Sequence, residues 1–82
     1  MSELDEFKLR VLGMFDELEK SELDLHELFE AAGNDADRRR EVFYAVEWLV
    51  EQGMLEERGN DFYSLSDAGR GAVGAGRDGG GE

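Results

Sequence analysis

Apolar side chains recur along this chain at two different intervals, and the change of interval marks its elements. Leu4, Phe7, Val11, Met14, Phe15 and Leu18 follow at steps of three and four. Such steps put them on one face of a helix, expected over about residues 3–20, with Ser2 and Asp5 ahead of it at capping-box spacing. Leu25, Leu28, Phe29, Ala31 and Ala32 form a shorter run behind Asp24 and Glu27, which repeat the capping relation, and Gly33 follows. That is a second helix over about residues 25–32. Val42, Val46, Leu49 and Gly53 are spaced four, three and four apart, giving a third helix over about 37–52. Asn34, Asp35 and Asp37 are its alternative caps, and Gly53 ends it in a left-handed conformation.

Past Gly53 the helical interval stops. Met54–Arg58 and Phe62–Leu65 flank Gly59-Asn60-Asp61, the composition of a β-hairpin and its turn. Leu65-Ser66-Asp67-Ala68-Gly69-Arg70 then reads as a new helix start with Ser66 or Asp67 as cap. From Gly71 the chain is dominated by glycine and carries too little apolar surface to offset its backbone entropy, so disorder is expected from about residue 74. The expected organisation is one domain over residues 1–73 and a disordered Gly-rich tail over 74–82. The fold class is α+β: a small winged helix, meaning a three-helix bundle with a C-terminal β-hairpin wing.

Projected at 100° per residue, the third helix turns Val42, Ala45, Val46 and Leu49 one way and Arg40, Tyr44, Glu47 and Glu51 the other. Phe43 and Val50 share one flank, Trp48 lies on the other, and Arg39 lies near the Phe43 edge. Phe7, Phe15, Phe29, Phe43 and Phe62 sit at core spacings and are expected to pack, while Trp48 suits either the core or a dimer contact.

Phe43-x-x-Val46-x-x-Leu49-x-x-x-Gly53-Met54-Leu55, followed by Tyr63-Ser64-Leu65-Ser66-x-x-Gly69-Arg70, resembles the winged helix-turn-helix transcriptional regulators, in particular the PadR-like and MarR-like groups of bacteria and archaea. The resemblance covers about residues 7–73. It implies duplex DNA as the partner, with the exposed start of the third helix on base edges and the hairpin tip on the backbone or minor groove. Carried over by position, Arg39, Arg40 and Tyr44 face bases, Arg38 and Arg58 face phosphates, and Asn60 stands at the hairpin tip. A homodimer is expected, with the first helix and the surroundings of Trp48 as its surfaces.

Charge complicates that expectation. The 82 residues hold 21 acids against nine bases, a net charge of −12. The acids are spread along the chain rather than gathered in one tail, and arginines outnumber lysines seven to two. Both features fit a salt-adapted source, such as a halophilic archaeon, where molar salt shortens the Debye length to about 3 Å and removes self-repulsion. The competing reading is a protein-interaction module whose acidic face, around Glu17, Glu22 and Glu30, meets a basic partner.

Other classes find little support. The chain has no cysteine and one histidine, so neither a disulfide framework nor a Cys/His zinc site is expected. His26 has no Ser, Cys or second His near it in sequence, and no catalytic residue, cofactor or metal is expected. No run approaches the roughly 20 apolar residues of a membrane span, and the amino terminus lacks the pattern of a signal peptide, so the expected location is cytoplasmic.

Overall fold

The computed structural model describes residues 4–81, with side chains described through Gly74. Among these are four helices and a three-stranded antiparallel sheet, in the order α1 (Glu6–Glu17), β1 (Glu22–Asp24), α2 (Leu25–Ala32), α3 (Ala36–Glu51), β2 (Leu55–Gly59), β3 (Phe62–Leu65) and α4 (Asp67–Gly81).

Helix starts follow from local hydrogen bonding. Asp5 caps α1, its side chain accepting from the Lys8 amide at 2.9 Å. Asp5 therefore fills the cap itself; Ser2, the other member of the expected capping box, lies outside the described residues. The capping box of α2 is reciprocal: the Glu27 amide donates to Asp24 at 2.7 Å and the Asp24 amide donates to Glu27 at 3.1 Å, which satisfies two of the amides a helix start leaves open. Asp35 caps α3 through the Arg38 amide at 2.8 Å. Helix α1 stops at Glu17, short of the expected residue 20, because Glu19 turns left-handed with φ 55°. Gly53 does the same after α3 with φ 78°, a conformation open to glycine at no steric cost.

Two expectations about architecture need correction. The hairpin of β2 and β3 is not a free two-stranded wing: β1 pairs with the other edge of β3, Leu23 opposite Tyr63, giving the order β1-β3-β2. The third strand protects a hairpin that would be marginal alone. Three residues containing one apolar position are too short a run to show alternation, so β1 leaves no signal of its own. The carboxyl-terminal segment also differs. Ala72 and Val73 of α4 pack against the core, and helical backbone then runs on to Gly81, a fourth helix beside the three expected. Glycine disfavours helix by about 1 kcal/mol per residue, and residue preference does not account for this stretch.

The core joins Val11, Leu12 and Phe15 of α1 to Leu23, Leu28, Leu55 and Tyr63 and to Val42, Ala45, Val46 and Leu49 of α3. The last four are the face expected to be buried, and each is at most 3% exposed. Phe43 and Phe62 are corrections: they are 41% and 37% exposed and do not join the core as their spacing suggested.

Candidate functional site

The first turns of α3 hold the three consecutive arginines. Asp35 fixes the helix start, and Asp37 lies favourably in its first turn, where the helix dipole attracts acids. The same acids draw on the arginines. Arg38 pairs with Glu41 at 2.8 Å and Arg40 with Asp37 at 3.5 Å, while Arg39 has no ion-pair partner among the described residues. One turn on, Tyr44 is 62% exposed, its ring tilted 59° against that of Phe43 with centroids 6.2 Å apart. Arg40 and Tyr44 thus stand on the solvent side of α3, opposite the anchor of Val42, Ala45, Val46 and Leu49.

The hairpin turns at Asn60 and Asp61, both left-handed with φ of 52° and 64°, which matches the twist of the flanking strands. Asn60 is therefore at the tip as expected. Arg58 is not. A bulge between Glu57 and Gly59 breaks the register there, and Arg58 turns toward Glu22 at 3.5 Å and Glu56 at 3.3 Å. Cross-strand partners share a face of an antiparallel sheet. Glu22, Glu56 and Ser64 pair across the three strands and form the outer face on which Arg58 lies. Leu23, Leu55, Glu57, Tyr63 and Leu65 form the inner face toward the core. The structure accordingly gathers Arg38, Arg39, Arg40 and Tyr44 on α3 and leaves Arg58 on the far side of the sheet.

Between the exposed side of α3 and the inner face of the hairpin runs a groove of about 630 Å³. Phe43, Tyr44, Glu47 and Glu51 contribute one wall, and Glu57, Asp61 and Tyr63 the other. Tyr63 is only 8% exposed. Burial first, and then the charges of Glu57, Asp61 and Glu47, raise its phenol above the ordinary tyrosine value, since each disfavours a phenolate there. The hairpin acids were visible in sequence as neighbours of the turn. Their meeting with Glu47 across the groove was not, because it depends on how far α3 lies from the sheet.

Elsewhere the ionic contacts are local. Lys20 bonds Glu27, which raises the lysine and lowers the glutamate from their ordinary values, the mutual hydrogen bond being the main cause. His26 is exposed and lies 3.1 Å from Glu30. The Lys8 ammonium sits 4.5 Å from the centre of the Trp48 ring. Among the described residues no group of His, Cys, Asp and Glu is placed to hold a metal ion, and no helix is long and apolar enough to cross a membrane. Comparison with protein-family models, with curated proteins and with solved structures finds no match.

Proposed function

We propose that the chain is a salt-adapted winged helix that binds duplex DNA as a small transcriptional regulator, with α3 as recognition helix and the β2–β3 hairpin as wing. The observation that supports this reading best is the start of α3, where Arg38, Arg39, Arg40 and Tyr44 stand in solvent on a helix anchored from behind by Val42, Ala45, Val46 and Leu49. Residues in the first turns of a recognition helix are the ones that reach base edges. Arg39, which has no ion-pair partner among the described residues, enters a complex at no such cost. Arg38 and Arg40 first exchange Glu41 and Asp37 for phosphate, which is cheap because exposed pairs are worth about 0–1 kcal/mol.

Phosphate attraction alone does not sustain such binding. Neutralising about six phosphates would cost on the order of five decades of affinity per tenfold rise in salt. Base contacts from Arg39, Arg40 and Tyr44, and a second copy on an adjacent half-site, supply the remainder. Arg58, turned to Glu22 and Glu56, contributes little at the wing.

Selection from random duplex DNA in about 1 M KCl, where exposed charges are screened, tests the reading. An enriched motif is expected, lost with Arg39→Ala/Arg40→Ala, and a two-fold motif would place two copies on the site. No enrichment at any salt where the protein is folded overturns it. The pairing of three of the four candidate arginines with carboxylates favours a second reading, a protein-interaction module of the same shape, in which neutralising acids rather than arginines abolishes binding.

A further inference from the structure

The groove between α3 and the hairpin is charged against DNA and is not used by the arginine contacts proposed above. Glu47, Glu51, Glu57 and Asp61 line it, and none of them has a cationic partner among the described residues. Elsewhere Asp5, Glu22, Glu27, Asp37, Glu41 and Glu56 each pair with Lys or Arg, while Glu6, Glu17 and Glu19 on α1 or just after it have no such partner among the described residues. Glu57 also occupies an inner-face register position, opposite Tyr63 and two residues from buried Leu55, where alternation calls for an apolar side chain. Bringing like charges together beside a buried ring works against the isolated fold.

A second feature of the groove is independent of its charge. Tyr63 is more than nine-tenths buried, lines the cavity and has no side-chain hydrogen-bond partner among the described residues. No side-chain oxygen or nitrogen among the described residues is sealed from solvent without a partner, so the Tyr63 hydroxyl opens into the groove and is free to bond what enters it. At the rim, Phe43 and Tyr44 expose aromatic rings, the surface on which a cation sits favourably.

We infer that this groove binds an arginine-bearing segment of a partner protein, its guanidinium seated among Glu47, Glu57 and Asp61 with the Tyr63 hydroxyl accepting from it and the Tyr44 ring against its plane. Arginine fits better than a metal ion, since the carboxylates are not placed to ligate one. It also fits better than lysine, because a planar fork of donors spans separated acceptors and stacks on aromatic faces. A second copy would bring its own net charge of −12 to an acidic groove, so a basic segment of a different protein is the fitting occupant. Tyr44 serves both this groove and the proposed DNA face, so the two ligands exclude one another.

Titration of the whole protein with a fluorescein-labelled peptide alternating arginine with glycine and serine tests the inference, read by polarisation in KCl from about 0.1 to 1 M. Glu47→Gln/Glu57→Gln is expected to weaken binding about tenfold or more, against less than about twofold for Glu17→Gln/Glu30→Gln, which removes the same charge outside the groove. Tyr44→Leu, an exposed substitution that leaves the core intact, is expected to weaken it as well, and a lysine version of the peptide to bind less tightly. Arg39→Ala/Arg40→Ala is expected to leave peptide affinity unchanged, which separates this inference from the DNA reading. Equal losses for the two Gln pairs would mean diffuse charge attraction and overturn it. Absence of binding overturns it too, as does self-association in sedimentation that Arg39→Ala abolishes.

Discussion

At the scale of single residues, Tyr63 links packing to electrostatics. Its phenol is raised above 10.0 by burial and by Glu57, Asp61 and Glu47. An acid with a native pKa above its unfolded one favours folding while protonated, so this contribution is fully present below the unfolded value and is lost as pH rises through the raised one. In Tyr44→Phe, Tyr63 is the sole tyrosine, and its phenolate absorbance is expected to rise with a midpoint above 10.0. Adding Glu57→Gln is expected to bring that midpoint down part of the way, leaving the larger share due to burial. A midpoint at or below 10.0 would mean that the ring is hydrated and the groove open to its floor. The two exposed phenylalanines carry the opposite lesson. Phe43 and Phe62 keep the spacing of core residues, yet one borders the groove and the other pairs with Asp24 and Gly59 beside the turn. Periodicity gives a face of an element, not the distance of the next element from it.

At the scale of elements, the junction between β2 and α4 shows why certain residues stand where they do. Ser66 donates from its hydroxyl to the Gly53 carbonyl at 2.5 Å and accepts from the Gly69 amide at 3.1 Å, while its own amide donates to the Met54 carbonyl at 3.1 Å. This draws the first turn of α4 onto the chain leaving α3. A Cβ at position 69 would fall on the Met54 carbonyl oxygen and within 2.9 Å of the Leu65 side chain, so only glycine lets the two segments close. Gly69→Ala is expected to destabilise the fold by about 1–3 kcal/mol, measured as a lower denaturant midpoint. Gly71→Ala, with open space around it, is the control and is expected to be neutral or stabilising. The local features were legible: Asp24 with Glu27, Asp35, Gly53 and the Ser66 cap on the Gly69 amide all act within a few residues of themselves or at a turn, whereas the bonds from Ser66 to Gly53 and Met54 were not. The span of α2 was fixed by such signals at both ends. Strand β1 was not legible, since its three residues become a strand only by meeting the free edge of β3, about forty residues on. The same limit hid the groove, whose acids come from α3 and the hairpin and are neighbours only in space.

At the scale of the whole molecule, charge and size set the response to salt. A net charge of −12 is confined to a body with a radius of gyration of 11.9 Å. At about 0.1 M salt the Debye length is about 10 Å, so acids within about that distance of one another on the surface still repel; at about 1 M it is about 3 Å and only immediate neighbours interact. Unfolding separates the charges, so repulsion favours the unfolded chain at low salt. The internal pairs oppose this trend, because salt screens them as well, but they are exposed and individually weak, and fewer cations than acids are available to form them. The melting temperature is therefore expected to rise from about 0.1 to about 1 M KCl. The groove sharpens the expectation, since Glu47, Glu57 and Asp61 surround Tyr63 and have no cationic partner among the described residues. In Glu47→Gln/Glu57→Gln the rise is expected to be shallower and the low-salt melting temperature higher than in the parent, while Glu17→Gln/Glu30→Gln changes the slope less. A flat or falling curve in the parent would remove salt adaptation as the explanation of its acidity, and the acids would then be accounted for by a basic partner. A parent curve that rises while both Gln pairs flatten it equally would assign the repulsion to total charge rather than to the groove.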